Sequence, residues 1–259
     1  MKIVTLVENT SIREDLEAEH GLSLYIEYND LRILFDMGQG DKFIANAESL
    51  GVDLSKVDIA VISHGHYDHG GGLEAFLKIN TKAKIYMSEH AFEEHYNAED
   101  KYIGLDVGLM QNDRIVFIKE KVVLSPDITL YTSSNVKKSC NIGAFGLKKM
   151  EGGKLLEDDF CHEIYLEIIN SGKSVLFSGC SHGGIIDVMD SFSPHILIGG
   201  FHFFKIEDEE ILKKYAKDLS RHDTDYYTCH CTGQVQFEYM KKHVHRLSYL
   251  SSGSVIELD

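Results

Sequence analysis

Val57-Asp58-Ile59-Ala60-Val61-Ile62-Ser63-His64-Gly65-His66-Tyr67-Asp68-His69 runs from an apolar strand pattern directly into three histidines and an acid, and Gly70-Gly71-Gly72 follows. A short apolar run bounded by turn residues reads as a buried strand. The polar cluster past its end then lies on a glycine-flanked loop, where several side chains can converge. In an extended segment His64 and His66 point to the same side. Asp68 and His69, adjacent at the turn toward the next helix, can diverge from that pair and serve a second ion nearby. Imidazole nitrogens suit Zn, Fe, Mn or similar ions. The competing reading is a loop of solvated histidines. A pattern of this kind is expected by chance far less than once in a chain with 14 histidines among 259 residues, and no structural need places three of them beside an acid on such a loop.

Other strand ends repeat the arrangement. Phe177-Ser178-Gly179-Cys180-Ser181-His182-Gly183-Gly184 ends a strand, turns on glycines and opens a short helix. His182 is thereby a further candidate ligand. Cys180 is an additional one as a thiolate, against the plainer reading of a packed thiol. Cys229-His230-Cys231-Thr232-Gly233 makes His230 a sixth candidate, and Gly199-Gly200-Phe201-His202 brings up another histidine. His202 reads as a hydrogen-bond donor to substrate or transition state rather than a ligand. His162, just ahead of the strand from Glu163, is a lesser candidate for metal or substrate contact, with His20 and His90 of similar rank. His95, His195, His222, His243 and His245 read as surface or packing residues.

Strand-like and helix-like periods alternate along the chain. Lys2 to Glu8 and Ser23 to Tyr28 read as strands, the latter turning through Asn29-Asp30 into Leu31 to Asp36 as a hairpin. A helix over Phe43 to Leu50 is capped by Gly51. Leu73 to Ile79 has helical spacing, and Lys84 to Met87 returns as a strand. The middle, Glu89 to Gly153, is irregular, with strands at Arg114 to Ile118 and Ile128 to Tyr131. Glu163 to Ile169 pairs with Ser174 to Phe177 across a turn. A helix (Ile185 to Asp190), a strand (Ile196 to Ile198), a helix (Glu209 to Leu219), a strand (Tyr226 to Cys229), a helix (Gln234 to Val244) and a strand (Val255 to Leu258) follow. The pattern predicts a mixed sheet with helices on its outer faces, and leaves open whether one sheet or two facing sheets form. Two prolines and no linker, repeat or low-complexity run predict one domain over residues 1–259.

Composition excludes some classes of function. Forty-one acids against 26 Lys and Arg give a net charge of −15, which disfavours nucleic acid and anionic membranes as partners. The apolar run at the N-terminus ends at Glu8, too early for a signal-peptide core. No window is long enough to span a bilayer. Five scattered cysteines without a CxxC pair do not make a disulfide framework, and free thiols fit a reducing compartment, the cytoplasm.

The His64-x-His66-x-Asp68-His69 motif after a strand resembles the signature of the metallo-β-lactamase superfamily. Ala18 to Ser23, Leu34 to Gln39, Asn46-Ala47, Leu50 to Leu54, Ser63 to His69, Gly179 to Gly184 and His230 to Gly233 are similar to one branch of it, the 7,8-dihydropterin-6-yl-methyl-4-(β-D-ribofuranosyl)aminobenzene-5′-phosphate synthases. The resemblance implies an α/β fold, an αββα sandwich with a metal site at the sheet edges. It also implies two divalent ions, Zn in the first place with Fe or Mn as alternatives. His64 and His66 would serve one ion, Asp68 and His69 the other, and His182 and His230 would complete the shells. Where the superfamily commonly has an aspartate bridging both metals, this chain has Cys180. The usual histidine ahead of that strand pair has His162 nearby, with His182 the better candidate. The expectation is a metal-dependent hydrolase or transferase acting on a phosphate-containing small molecule through metal-activated hydroxide, with Asp68 and His202 in the chemistry. A non-catalytic metal-binding or ligand-sensing module is the alternative, and an iron redox protein a more distant one.

Overall fold

The computed structural model describes residues 1–139 and 144–259. Two seven-stranded mixed sheets face one another, which resolves what the pattern left open. The first runs Val255–Glu257, Lys2–Val7, Ser23–Tyr28, Leu31–Phe35, Ile59–Val61, Lys84–Ser88, Ile115–Ile118. The second runs Leu247–Tyr249, Asp225–Thr228, Ile196–Ile198, Lys173–Phe177, Ile164–Asn170, Ile128–Thr132, Val122–Ser125. Each has an antiparallel part and a parallel part, and all but one of the parallel pairs are joined through an α-helix. Parallel strands need crossover connections because their ends lie at opposite edges of the sheet.

Three apolar layers hold this together. Between the sheets, Ile26, Ile33, Phe35 and Val61 meet Leu130, Ile164, Leu166, Val175 and Phe177, and the Phe35 and Phe177 rings stand 5.9 Å apart. Outside the first sheet, Phe43, Ala47, Leu73 and Phe76 from the helices Lys42–Ser49 and Leu73–Ile79 cover Leu6, Leu34, Ala60 and Ile62. Outside the second, the helices Ile185–Phe192, Glu209–Leu219 and Gln234–Met240 cover Leu176, Leu197 and Tyr226. The fold is therefore an αββα sandwich. Phe177 has no exposed surface, so Phe177→Ala is expected to lower stability by about 3–5 kcal/mol, read as a lower denaturation midpoint.

The hairpin turns through Asn29 at φ 51°, and Gly51 at φ 70° ends the first helix, as predicted. The helix from Gln234 stops at Met240, four residues short of the expected end. Strands at Val122–Ser125 and Leu247–Tyr249 had no sequence prediction; nor did the small sheet of His95–Tyr96, Lys148–Glu151 and Lys154–Glu157. Among the described residues, no helix is long and apolar enough to cross a membrane.

Candidate metal centre

Parallel strands all deliver their C-termini to one edge, and open α/β sheets bind ligands there. Ile59–Val61 delivers His64 to His69, Lys173–Phe177 delivers Cys180 and His182, Ile196–Ile198 delivers His202, and Asp225–Thr228 delivers His230. The edges of the two sheets are tied by the Ile164 N–H donating to the Ser63 carbonyl at 2.7 Å. Two glycines let the backbones approach. A Cβ on Gly179 would stand 2.1 Å from Ser63 Oγ, and one on Gly65 would stand 2.3 Å from the Ala91 carbonyl. Asp36, Ser181, His202 and His230 hold left-handed φ values of 62°, 54°, 54° and 49°, strain that clusters where side chains must be aimed.

Hydrogen bonds on the far side of each ring set which nitrogen faces inward. Asp36 accepts from Ser63 N at 2.7 Å, from Ser63 Oγ at 2.8 Å and from His69 Nδ1 at 2.7 Å. Because Ser63 Oγ gives its proton to Asp36, it accepts from His64 Nδ1–H at 2.8 Å. His230 Nδ1–H donates to Asn9 Oδ1 at 2.7 Å, and its backbone N–H to the Glu8 carboxylate. His64, His69 and His230 therefore all present a bare Nε2 lone pair. His69 Nε2 and His230 Nε2 face each other at 3.2 Å. Asp68 Oδ2 stands 3.3 Å from His230 Nε2 and 4.0 Å from His69 Nε2, and Cys180 Sγ stands 3.2 Å from His69 Nε2. Donors around one tetrahedral Zn would be separated by roughly 3.4 Å. Facing lone pairs at this distance repel unless a proton or a cation stands between them.

A second group abuts the first. The rings of His64, His66 and His182 lie 4.7 to 5.0 Å apart and offer donors within 4.8 Å of one another. His64 Nε2, His66 Nε2 and both His182 nitrogens are buried without a hydrogen-bond partner, a cost that a bound ion removes. Cys180 is within donor reach of both groups, beside His69, beside His182 and His202, and beside His230 and Cys231. The donor set fits divalent ions of the Zn, Fe or Mn type.

Burial and the neighbouring imidazoles hold His64, His66 and His182 well below the ordinary histidine pKa. Burial lowers His230 to about 4 and His202 to about 3. Neutral imidazoles are the form that ligates. Burial alone would raise the Asp68 carboxyl, but the neighbouring imidazoles of His69, His20 and His230 outweigh it and hold it well below the carboxylate range. Burial, with Cys231 adding to it, pushes the Cys180 thiol up.

The six predicted ligands, His64, His66, Asp68, His69, His182 and His230, come together at this edge, as do Cys180 and His202. His162 is buried beside them, but its Nδ1 accepts from Gly65 N–H at 2.9 Å. His20 sits at the mouth with Nε2 3.3 Å from Asp68 Oδ2, whereas His90 lies apart, paired with Glu93 at 2.6 Å. Sequence reading missed Asn9, Asp36, Ser63, His95 and Asp158. For Asp36 a signal existed, an acid terminating a buried strand, while Asn9 and Asp158 carry none. Asn97, Ile103 and Leu147 from the irregular middle join Tyr67, Phe204 and Lys205 in walling a cavity of about 230 Å³ over the donors.

The comparisons agree with this geometry. Residues 16–221 match the model of the metallo-beta-lactamase superfamily. An uncharacterized Methanocaldococcus jannaschii protein is 30% identical over 241 residues, 89% of this chain and 90% of its own length. The 7,8-dihydropterin-6-methyl-4-(beta-D-ribofuranosyl)-aminobenzene-5'-phosphate synthase of the same organism is 26% identical, covering 99% of this chain and 96% of its own. A crystal structure of a metal-dependent hydrolase of the beta-lactamase superfamily superposes with a TM-score of 0.84 at 27% identity, covering 100% of this chain and 99% of that one. With two facing sheets, converging histidines at their common edge and this family match over most of its length, the chain is a member of the metallo-β-lactamase superfamily.

Proposed function

We propose that the protein is a metal-dependent hydrolase or transferase acting on a phosphate-containing small molecule. Its ligands are His64, His66 and His182 for one divalent ion and Asp68, His69 and His230 for a second, with Cys180 between them. Zn(II) is the ion assigned, and Fe(II) and Mn(II) fit the same donors. The observation that carries this is the approach of His69 Nε2 and His230 Nε2 to 3.2 Å beside Asp68, with the Nδ1 of each ring tied to an acceptor behind it. Ions held there supply Lewis acidity, lowering the pKa of a water and polarising an acceptor oxygen.

The chain's own groups do the rest. Asp36, Ser63 and Asn9 fix ring tautomers so that the inward nitrogens stay bare. Asp68 remains a carboxylate and accepts from His20 Nε2–H. His202, with both ring nitrogens buried and unpartnered, is neutral at pH 7 and so serves as a hydrogen-bond donor to a substrate oxygen rather than as an imidazolium acid. Lys205 at the cavity mouth supplies the positive charge that an anionic substrate needs. The phosphorylated substrate class is supported by that charge and by the activity named for the M. jannaschii synthase.

The test is turnover of model phosphodiesters, phosphomonoesters, thioesters and lactones by metal-loaded protein. Activity is expected on a phosphoester, lost on chelation and restored by Zn(II); metal binding without turnover of any class defeats the reading. His202→Ala is expected to cut kcat by about 100-fold, the size of one lost transition-state donor, with metal content unchanged by elemental analysis.

A further inference from the structure

Behind the cavity, His66, His95, Asp158 and His162 form a fully buried group whose donor atoms lie within 4.8 Å of one another. It resembles a third ion site, but the proton bookkeeping at His162 removes that ring as a donor. The Gly65 N–H donates to His162 Nδ1 at 2.9 Å. A neutral imidazole that accepts at Nδ1 carries its proton on Nε2 and has no lone pair left to ligate. His162 Nε2 faces Asp158 Oδ2 at 3.5 Å. The same carboxylate accepts from His95 Nδ1–H at 2.8 Å and, through Oδ1, from Phe160 N–H at 2.8 Å. No Lys or Arg takes part in these contacts.

His162 Nε2 has no hydrogen-bond partner, so Asp158 acts on it through charge at 3.5 Å. We infer that Asp158 is a positioning residue for the metal loop: its negative charge favours the His162 tautomer protonated on Nε2, which leaves Nδ1 as the acceptor that pins the Gly65 peptide between His64 and His66. The peptide lies between two proposed ligands, so its tilt sets the direction of both. A Cβ at residue 65 would meet His95 Nε2 at 3.0 Å, so His95, held by the same carboxylate, also packs against the loop. Outer groups of this kind typically change metal affinity by about 10–100-fold. The role rests on the proposed function, since it matters only where His64 and His66 hold an ion.

Asp158→Asn places an amide N–H either where both ring protons now point or where the Phe160 N–H points. Either a ring flips and loses Gly65, or two donors face each other. Zn(II) affinity, measured in competition with a chelating dye, is expected to fall about 10–100-fold at one of the two ions in Asp158→Asn and in His162→Leu. His162→Gln keeps an acceptor for Gly65 and a donor for Asp158, and is expected to stay within about threefold of the parent protein. Co(II) absorption should change in the first two variants and not in the third. Unchanged affinity in Asp158→Asn and His162→Leu overturns the inference, as does His162→Gln failing as badly as His162→Leu. Should the variants not fold, histidine nitrogen NMR of the parent protein decides: His162 protonated on Nε2 alone supports the inference, and protonation on Nδ1 overturns it. A parent protein that binds no Zn(II) defeats the proposed function, whereas one that binds it with unaltered variants defeats only this role of Asp158.

Discussion

Asp68→Ala is expected to abolish turnover and to lower the metal content of the purified protein. Asp68 Oδ2 stands within 3.3 Å of both His230 Nε2 and His20 Nε2 and 4.0 Å from His69 Nε2. Removing it takes the only carboxylate from the proposed second ion and leaves the facing Nε2 atoms with no anion on their inner side, since Asp36 lies behind His69 at Nδ1. The loss should exceed the roughly 100-fold that changes behind the ligands produce. The fold should survive, because the backbone contact at this position, Leu22 N–H to the Asp68 carbonyl at 3.2 Å, does not involve the side chain. Asp68→Asn keeps the shape and removes the charge, so it separates the loss of a ligand from the loss of packing. Both variants need elemental analysis and turnover of a phosphoester. Full activity with a full metal complement in Asp68→Ala would refute the assignment.

Stripped of metal by chelation, the protein should lose stability steeply on acidification from pH 7 to pH 5. Burial lowers His162 and His230 to about 4 and His202 to about 3, against 6.5 for the free side chain. Below pH 6.5 the unfolded chain takes up protons that these native rings refuse, so stability rises with pH across this window and is lost as pH falls toward the folded values. At pH 5 the cost is about 2 kcal/mol per group, or about 6 kcal/mol for the three. Total stabilities are about 5–15 kcal/mol. The raised pKa of His69, set by Asp36 and Asp68 against its burial, works in the opposite sense and offsets part of this. Urea midpoints of chelated protein should therefore fall between pH 7 and pH 5. Zn(II) should raise the midpoint at pH 7, since a ligand that binds only the folded state stabilises it, and the increment should shrink as protons compete for the same nitrogens. A midpoint independent of pH in the chelated protein would contradict the neutral burial of these rings.

Much of this site is readable in the chain itself. A strand that ends in His-x-His-x-Asp-His, and strand ends that repeat at His182, His202 and His230, name their chemistry because donor residues have no packing reason to sit past glycine turns. Alternation of strand and helix likewise implies a mixed sheet with helices outside. Local periodicity says nothing of which strand pairs with which. It therefore could not divide the strands between two sheets, nor reveal that Ile164 reaches across to the Ser63 carbonyl and joins the edges.

What the sequence alone determined is the identity and order of the candidate donors, because a side chain's donor chemistry travels with its residue type. What only the tertiary structure decided is how those donors are held. Asn9 orients His230 from 221 positions away and Asp36 orients His69 from 33. His182 faces the His64 and His66 rings, while His162 turns its lone pair to Gly65. The physical reason is that a ring's inward nitrogen is chosen by the hydrogen bond behind it. Such a bond joins segments with no common sequence signal until the two sheets close on each other.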